Sequence, residues 1–294
     1  MQKVGSTTDT ADANGEYTNG NVANGVSPTI INAEMLNTFQ RELVSVVEGS
    51  GLELDPTDNS QVLTAIKNMF SPGRLLAIKV ITATQIYTPS IGTNKIVVEM
   101  VGGGGAGGSV VANPASTNQV PGGSGAGGEG GAYGMALVDP IFNSALITIG
   151  NAGIASTLSP TDGGSTSISV NGSVLLSVSG GATGTTMTGP YDFPATLGGR
   201  RSIANAYTGN FLFKINGKPG GLGTIFSGAS AAGGDGGASY LSNGSQQGLM
   251  NNDVGKSQYD PTGYGCGGTG ACSTTRTQEA GNASPGVVII KEYA

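Results

Sequence analysis

Residues 122–134 read GGSGAGGEGGAYG, and glycine occupies every third position of this stretch from Gly122 to Gly134. A period of three fits neither the α-helix nor the β-strand, but it is the period of the polyproline II helix. Parallel chains of that type pack closely only where a row of residues lacks side chains. We therefore predict packed glycine-rich rods. The same spacing recurs at Gly102, Gly105 and Gly108, at Gly217, Gly220 and Gly223, at Gly233 and Gly236, and at Gly265 and Gly268.

Glycine is distributed unevenly along the chain. Only eight of the 53 glycines lie in residues 1–100, so a boundary in composition falls near Val101. With 37% apolar residues, 5% aromatic residues and no tryptophan, the glycine-rich part cannot fill a core with large side chains at the usual density. A structureless Gly/Ser linker is the alternative. The triplet spacing and the apolar runs at residues 145–149 and 174–178 favour an ordered fold.

The N-terminal part predicts an arm followed by two short helices. Residues 1–27 are polar and lack periodicity, so we expect an extended arm that orders only against a partner. Asn32 can cap a helix over residues 33–48, whose apolar residues follow helical spacing. Asp58, with Gln61 three positions later, can cap a second helix.

The two helices, within residues 28–72, are too short to bury a core of their own, because units of fewer than about 40 residues usually need oligomerisation or another staple. We therefore expect their apolar faces to meet copies from other chains. The residues predicted for this oligomerisation are Met35, Leu36, Phe39, Leu43, Val47, Leu63, Ile66 and Phe70.

Residues 73–101 predict a short β collar between the helices and the glycine-rich part at 102–294. Runs rich in isoleucine and valine, at 75–81, 85–88 and 95–101, are separated by turn residues. The last run leads straight into the first glycine tract.

Two further β signals lie within the glycine-rich part. Asn171 and Gly172 separate two alternating runs, which predicts a β-hairpin with a two-residue turn. Residues 287–290, after a Pro-Gly pair, predict a closing strand.

Longer and more varied segments separate the glycine tracts, and they hold most of the aromatic residues of this part. Aromatic and polar residues on loops over a rigid scaffold are typical of recognition surfaces. The alternative is that some of these rings only cover the rod ends. The loop residues predicted to bind a receptor are Tyr191, Phe193, Tyr207, Phe211, Tyr240 and Tyr259.

Composition argues against several classes of function. The net charge of −6 gives no basic footprint for nucleic acid. The chain has no histidine, which removes the commonest general base and most transition-metal sites. A glycosidase would need a facing carboxylate pair, and the candidate acids Asp192, Asp253 and Asp260 are scattered over loops. We expect no catalytic residues, no metal and no cofactor, and we predict that the chain is not an enzyme.

The sequence contains two cysteines, Cys266 and Cys272, which flank a glycine-rich segment. A local disulfide and two free thiols both remain open at this point.

Residues 15–70 closely resemble the N-terminal region of tail fibre proteins from Mu-like phages and prophages. The shared pattern is TxINAEWLNxxQxELxxVxxxxGxxLDPxxxxQ, with Met35 in place of the usual tryptophan. Residues 95–134 and the ending PGVVIIKEYA resemble the glycine-rich C-terminal module of the same family. That module is also similar to the tip adhesins of T-even long tail fibres, in which polyglycine II helices stack as a sandwich.

The resemblance implies a fold of low regular α and β content. It would combine a small N-terminal α region, a short β collar and a C-terminal polyglycine II helix sandwich with a β-hairpin. It also implies a homotrimeric fibre whose N-terminal region, residues 28–72, attaches to the phage tail or baseplate. Whether the glycine-rich tip is monomeric or threefold stays open.

By this resemblance, the expected function is a tail fibre adhesin of a phage or tailocin, assembled in the host cytoplasm and acting on the outside of the host cell as part of the virion. The expected partner is a Gram-negative surface receptor, either lipopolysaccharide or an outer-membrane protein. The alternatives are a tailspike-like polysaccharide depolymerase and a purely structural or ice-binding glycine-rich protein.

Overall fold

The computed structural model describes residues 2–70, 73–140, 142–197, 205–251 and 261–294. The chain divides into two compact units, Met1–Arg74 and Leu75–Ala294. Within the described residues, both α-helices lie in the first unit and every strand lies in the second. No helix in these ranges has the length and apolar character needed to cross a bilayer.

The first unit contains helices α1 (Ala33–Gly49) and α2 (Gln61–Phe70). Asn32 caps α1 as predicted, since its Oδ1 accepts a hydrogen bond of 3.0 Å from the backbone N of Met35. The predicted cap Asp58 lies slightly before α2, and its carboxylate accepts from the backbone N of Ser60 at 2.7 Å.

The N-terminal arm folds back on its own chain, whereas we expected residues 1–27 to order only against a partner. Val4, in a short 3₁₀ turn, is buried. The side chain of Asn32 donates to the carbonyl of Thr7 at 2.6 Å. The carboxylate of Asp12 accepts from the backbone N of Asn14 and of Glu16, an Asx turn that satisfies the arm's backbone locally. Such turns leave no sequence period, which is why the sequence predicted only an extended arm that orders against a partner.

Twenty short strands lie in the described part of the second unit, and many of them are joined by glycine-rich segments. In chain order the strands are β1 (Leu75–Ile81), β2 (Gln85–Tyr87), β3 (Lys95–Val101), β4 (Val110–Val111), β5 (Gln119–Val120), β6 (Gly123–Ser124), β7 (Tyr133–Val138), β8 (Ala145–Thr148), β9 (Thr166–Val170), β10 (Ser173–Val178), β11 (Met187–Thr188), β12 (Tyr191–Asp192), β13 (Ala195–Leu197), β14 (Tyr207–Thr208), β15 (Phe213–Ile215), β16 (Gly223–Ile225), β17 (Ser230–Ala232), β18 (Leu249–Asn251), β19 (Cys272–Ser273) and β20 (Val287–Tyr293).

Ten of these strands form two antiparallel five-stranded sheets that enclose an apolar core. The first sheet has the order β1-β20-β3-β7-β15 and the second β14-β10-β9-β8-β2. Alternate residues of each strand enter the core because side chains alternate across a pleated strand. The core combines residues of both sheets, among them Ile96, Val98, Met100, Val288 and Ile290 from the first and Ile147, Ile168, Leu176 and Val178 from the second. The second unit therefore contains a β-sandwich that the composition did not predict.

The predicted collar at 73–101 is divided between the two sheets of this sandwich. Strands β1 and β3 lie in the first sheet and β2 lies in the second. The predicted hairpin is confirmed: β9 pairs with β10, and Asn171 and Gly172 at the turn have φ angles of 50° and 79°. This left-handed pair is the geometry of a type I′ turn.

The strands of the sandwich continue directly as glycine-rich rods. Strand β3 runs into the rod at 102–108, and the rod at 122–132 runs into β7. Strand β10 likewise continues as the rod at 179–185, and the rod at 280–286 leads into β20. One set of extended chains therefore forms the sandwich at one end and a rod bundle at the other.

Backbone hydrogen bonds hold the rods together. Along a rod, every third residue donates to the same neighbouring rod. In the 122–132 rod, the N–H groups of Gly122, Gly125, Gly128 and Gly131 donate to carbonyls of residues 265–274 at 2.7–3.1 Å. The next row, residues 126, 129 and 132, donates to the 179–185 rod, and the third row, residues 127 and 130, donates to the 217–221 rod. Each row faces a different neighbour, as a helix with three residues per turn requires. The fold is a polyglycine II helix sandwich joined to a β-sandwich.

In the rows that consist of glycine, the neighbouring backbone occupies the space that a side chain would need. A Cβ added at Gly105 would overlap the carbonyl of Ala182, and one added at Gly128 would overlap the carbonyl of Gly105. Rods packed this closely exclude water from their amides, and buried amides must be hydrogen-bonded.

Both cysteines are fully buried and neither is disulfide-bonded. Cys266 and Cys272 lie six residues apart on one extended rod, where a rise of about 3.1 Å per residue separates them by roughly 19 Å. A disulfide needs Cα atoms less than about 7 Å apart. The free-thiol alternative is therefore correct.

Candidate functional site

One end of the rod bundle lies opposite the sandwich. At that end, the segments that join the rods form pairs of strands with one another. We call this end the distal surface. Here β4 pairs with β11, β5 with β12, and β6 with β19. Strands β13, β16, β17 and β18 form a four-stranded sheet at the same end. Loops that are distant in sequence are thereby fixed to each other, which gives the rod bundle an ordered end.

Side-chain hydrogen bonds lock these loops further. Asn113 donates to the carbonyl of Gly189 at 2.9 Å. The backbone N of Ala112 donates to the hydroxyl of Thr277 at 3.0 Å. A surface held in this way loses little conformational entropy when it binds, which favours affinity.

A small apolar cluster supports the distal surface from within. It consists of Val120, Ile225, Ala231, Met250 and Cys272, and the half-buried ring of Tyr191 packs against it. Tyr191 therefore supports the surface, with part of its ring still accessible.

Two phenylalanines present exposed rings on the distal surface. Phe193 is 37% exposed, and Phe226, in the turn between β16 and β17, is 55% exposed. The Phe193 ring lies over Gly228 of that same turn, at van der Waals distance of 3.4 Å from where a Cβ would stand. Leu158, Leu222 and Leu249 add further exposed apolar side chains to the distal segments.

The structure brings Tyr191 and Phe193 together on the distal surface, and it places two other predicted residues at the β-sandwich. Tyr207 and Phe211 pack edge to face with ring centroids 5.9 Å apart, partly buried against the sandwich core. Burial raises the pKa of the Tyr207 phenol. These two rings therefore pack against the core of the β-sandwich, a place that neither interpretation of the loop aromatics predicted.

Tyr240 is exposed but lies near the junction of rods and sandwich. Its ring centroid is 4.2 Å from that of Tyr133, whose hydroxyl donates to Glu99 at 3.1 Å. Burial, together with the nearby Glu99 carboxylate, raises the pKa of Tyr133. The last predicted residue, Tyr259, lies outside the described residues.

The residues predicted for oligomerisation divide into two groups. Met35 and Val47 are buried within their own chain, so they are not available to another chain. The other six are exposed, and they follow i, i+3, i+7 spacing on each helix: Leu36, Phe39 and Leu43 on α1, and Leu63, Ile66 and Phe70 on α2.

The distal surface offers non-covalent contacts. Asp192, one of the scattered acids, accepts a hydrogen bond from Gln119 at 3.3 Å, while Asp253 and Asp260 fall outside the described residues. Across the described ranges, no group of three or more Cys, Asp or Glu side chains is placed to hold a metal ion.

The sequence analysis did not predict Phe226 as a surface residue. The signal for it is the Ser-Gly pair that follows, because this pair marks the turn on which Phe226 lies.

Comparison with known proteins identifies the second unit. A family model described as a glycine-rich domain matches residues 80–293, which is more than half of the chain. No curated protein matches the sequence. The match covers both the β-sandwich and the rods that continue from its strands. The chain therefore belongs to the glycine-rich domain family.

Proposed function

We propose that this chain is the receptor-binding tail fibre protein of a phage or a phage-tail-like bacteriocin, and that it attaches the particle to a Gram-negative cell. The observation that carries the proposal is the pair of exposed rings, Phe193 and Phe226, on interlocked loops at the end of a stiff rod bundle. Exposed aromatic residues on a rigid scaffold are the usual anchors of a binding interface.

The N-terminal unit supports the same proposal. Two exposed apolar stripes on α1 and α2 suit contact with further copies or with another protein, since side chains at i, i+3 and i+7 share one helix face. The sequence pattern at 15–70 resembles the tail-attachment region of Mu-like fibres. We propose that this unit assembles a homotrimer and joins it to the tail or baseplate. Three copies of the distal surface would then bind with avidity.

The receptor is either lipopolysaccharide or an outer-membrane protein, and competition separates the two. Purified chain is bound to host cells, and each candidate is added separately in soluble form. The receptor is the one that releases the chain. Release by neither would contradict the proposal.

A double variant tests the distal surface itself. Phe193→Ala with Phe226→Ala is expected to weaken cell binding at least tenfold, because two aromatic anchors contribute about 2 kcal/mol or more. The matched control is Phe213→Ala, an exposed ring on strand β15 of the sandwich, which should bind like the wild type. Equal binding by the double variant and the wild type would move the site away from the distal surface.

The assembly proposal has its own measurement. Leu36→Glu with Leu43→Glu places charge in the α1 stripe, and sedimentation should then report monomers where the wild type sediments as trimers. A wild-type chain that sediments as a monomer would overturn this part alone.

A further inference from the structure

A groove of about 900 Å³ follows the rods at 217–221, 233–238 and 243–247. The middle rod forms its floor, the other two form its walls, and Thr262 also contributes to the lining. Both walls are hydrogen-bonded to the floor rod.

The floor rod uses two of its three rows of N–H groups inside the protein. Gly234 and Gly237 donate to the 122–132 rod at 3.0 and 2.8 Å. Gly233 and Gly236 donate to the 243–248 wall, both at 3.0 Å.

The third row of the floor rod has N–H donors that have no acceptor among the described residues. The carbonyls of Asp235 and Ala238 accept from Gly221 and Lys218 of the wall at 2.7 and 2.9 Å. Their N–H groups donate to none of the described residues. Both residues line the groove, and their three-residue spacing puts the two donors roughly 9 Å apart along it.

Elsewhere in the bundle, donors with this spacing bind a neighbouring rod. The walls add amide side chains, Asn243, Gln246 and Gln247, which can both donate to and accept from a peptide backbone. An exposed lysine, Lys218, and an exposed aspartate, Asp235, add one charge of each sign. The groove therefore matches an extended peptide whose carbonyls repeat every three residues.

We propose that the groove binds a polyproline II segment of a partner protein with glycine at every third position, which lies there as an additional rod. Glycine is needed where the segment faces the floor, because rods approach closely only through rows without side chains. The polyproline II conformation is preformed in proline-rich chains, which lowers the entropy lost on binding. This inference is independent of the proposed function, since it involves neither the distal surface nor the helices.

The experiment uses the full chain and a fluorescein-labelled peptide of three Gly-Pro-Pro repeats, measured by fluorescence anisotropy. We expect saturable binding with a Kd in the micromolar to millimolar range. A peptide of identical composition with its three glycines adjacent is the control, and it should bind at least tenfold more weakly. Equal binding of the two peptides, or binding of neither, overturns the proposal.

A variant that fills the groove locates the binding. Ala238→Leu adds bulk to the row that carries the free donors and should weaken peptide binding at least tenfold. Ala152→Leu makes the same change at a half-buried residue outside the groove and should leave binding unchanged. Circular dichroism verifies that both variants fold. If Ala238→Leu folds and binds the peptide as the wild type does, the groove is not the site.

Discussion

The β-sandwich and the rod bundle are formed by the same extended chains, yet they are held together in opposite ways. In the sandwich, large side chains such as Ile147 and Met100 fill the space between two sheets. In the bundle, neighbouring backbones meet directly, and glycines such as Gly105 leave room for them. Stability in the first region depends on side chains that are present, and in the second on side chains that are absent. Adding a side-chain atom in the bundle and removing side-chain volume in the sandwich should therefore both lower the free energy of unfolding.

The largest effect is expected from one added methyl group in the bundle. Gly105→Ala places a Cβ against the carbonyl of Ala182, which must push two rods apart and break their backbone hydrogen bonds. We expect a loss of more than about 4 kcal/mol in the free energy of unfolding, or a chain that does not fold. Urea unfolding followed by circular dichroism measures it. The control Gly228→Ala, whose Cβ meets only an ordinary contact, should change little. If Gly105→Ala unfolds at the same urea concentration as the wild type, the rods do not pack through their backbones at this position.

A smaller effect is expected from removing side-chain volume in the sandwich. Ile147→Ala leaves a cavity between the sheets and should cost about 2–5 kcal/mol in the free energy of unfolding. Leu146→Ala, its exposed neighbour on the other face of β8, should cost less than about 1 kcal/mol. Equal losses in the two variants would mean that the two sheets do not enclose a core.

A buried carboxylate makes the β-sandwich, unlike the rod bundle's glycine rows, sensitive to pH. Glu292 is fully buried; it accepts from the hydroxyl of Tyr87 at 2.7 Å and lies 2.8 Å from the ammonium of Lys79. Burial raises the pKa of Glu292, but the hydrogen bonds from Lys79, Ser90 and Tyr87 together bring it below the ordinary value of 4.5. The ionised form therefore stabilises the fold above pH 4.5, and this contribution is lost as the pH falls through the lowered pKa.

Glu292→Gln should lower the free energy of unfolding at pH 7 by about 1–3 kcal/mol. The difference from the wild type should shrink as the pH is lowered toward 3. Asp139→Asn, which removes an exposed partner of Lys95, serves as the control and should cost less than about 1 kcal/mol. A difference for Glu292→Gln that stays constant with pH would show that the Glu292 charge does not contribute.

The smallest effect concerns the cysteines of the bundle. Because Cys266 and Cys272 are buried and form no disulfide, a reducing agent should leave the unfolding midpoint unchanged. Under native conditions neither thiol should react with a thiol reagent, whereas both should react in denaturant. A midpoint that falls on reduction would contradict the free thiols.

Much of the fold could be predicted because the relevant signals are local. The three-residue period of glycine identified the rods, and the Asn171–Gly172 pair identified the hairpin with its left-handed φ angles. Asn32 identified the start of α1 through a cap that depends on residues three positions apart. Each of these features is determined by neighbours in sequence.

The remaining features depend on residues that are distant in sequence. Strand β20 pairs with β3 across 186 to 198 residues, from Val287↔Val101 to Tyr293↔Lys95, so no local pattern could show that the collar strands belong to a sandwich. The loop aromatics Tyr191 and Tyr207 look alike in sequence, but one lies at the distal surface and the other at the sandwich core. A loop lies at the distal surface or at the sandwich according to the direction in which the chain runs along the preceding rod. The composition of the loop carries no information about that direction.

The position of strand β20 allows the glycine-rich unit to be exchanged as a whole, in evolution or by engineering. This strand pairs between β1 and β3, so the first strand of the glycine-rich unit and its last are neighbours in one sheet. Entry and exit of the polypeptide then lie side by side, which is the arrangement that allows a whole module to be inserted or exchanged as a cassette. A recombination event at the codons just before Leu75 would transfer this unit to a different N-terminal sequence without separating any of the described strands from its partners.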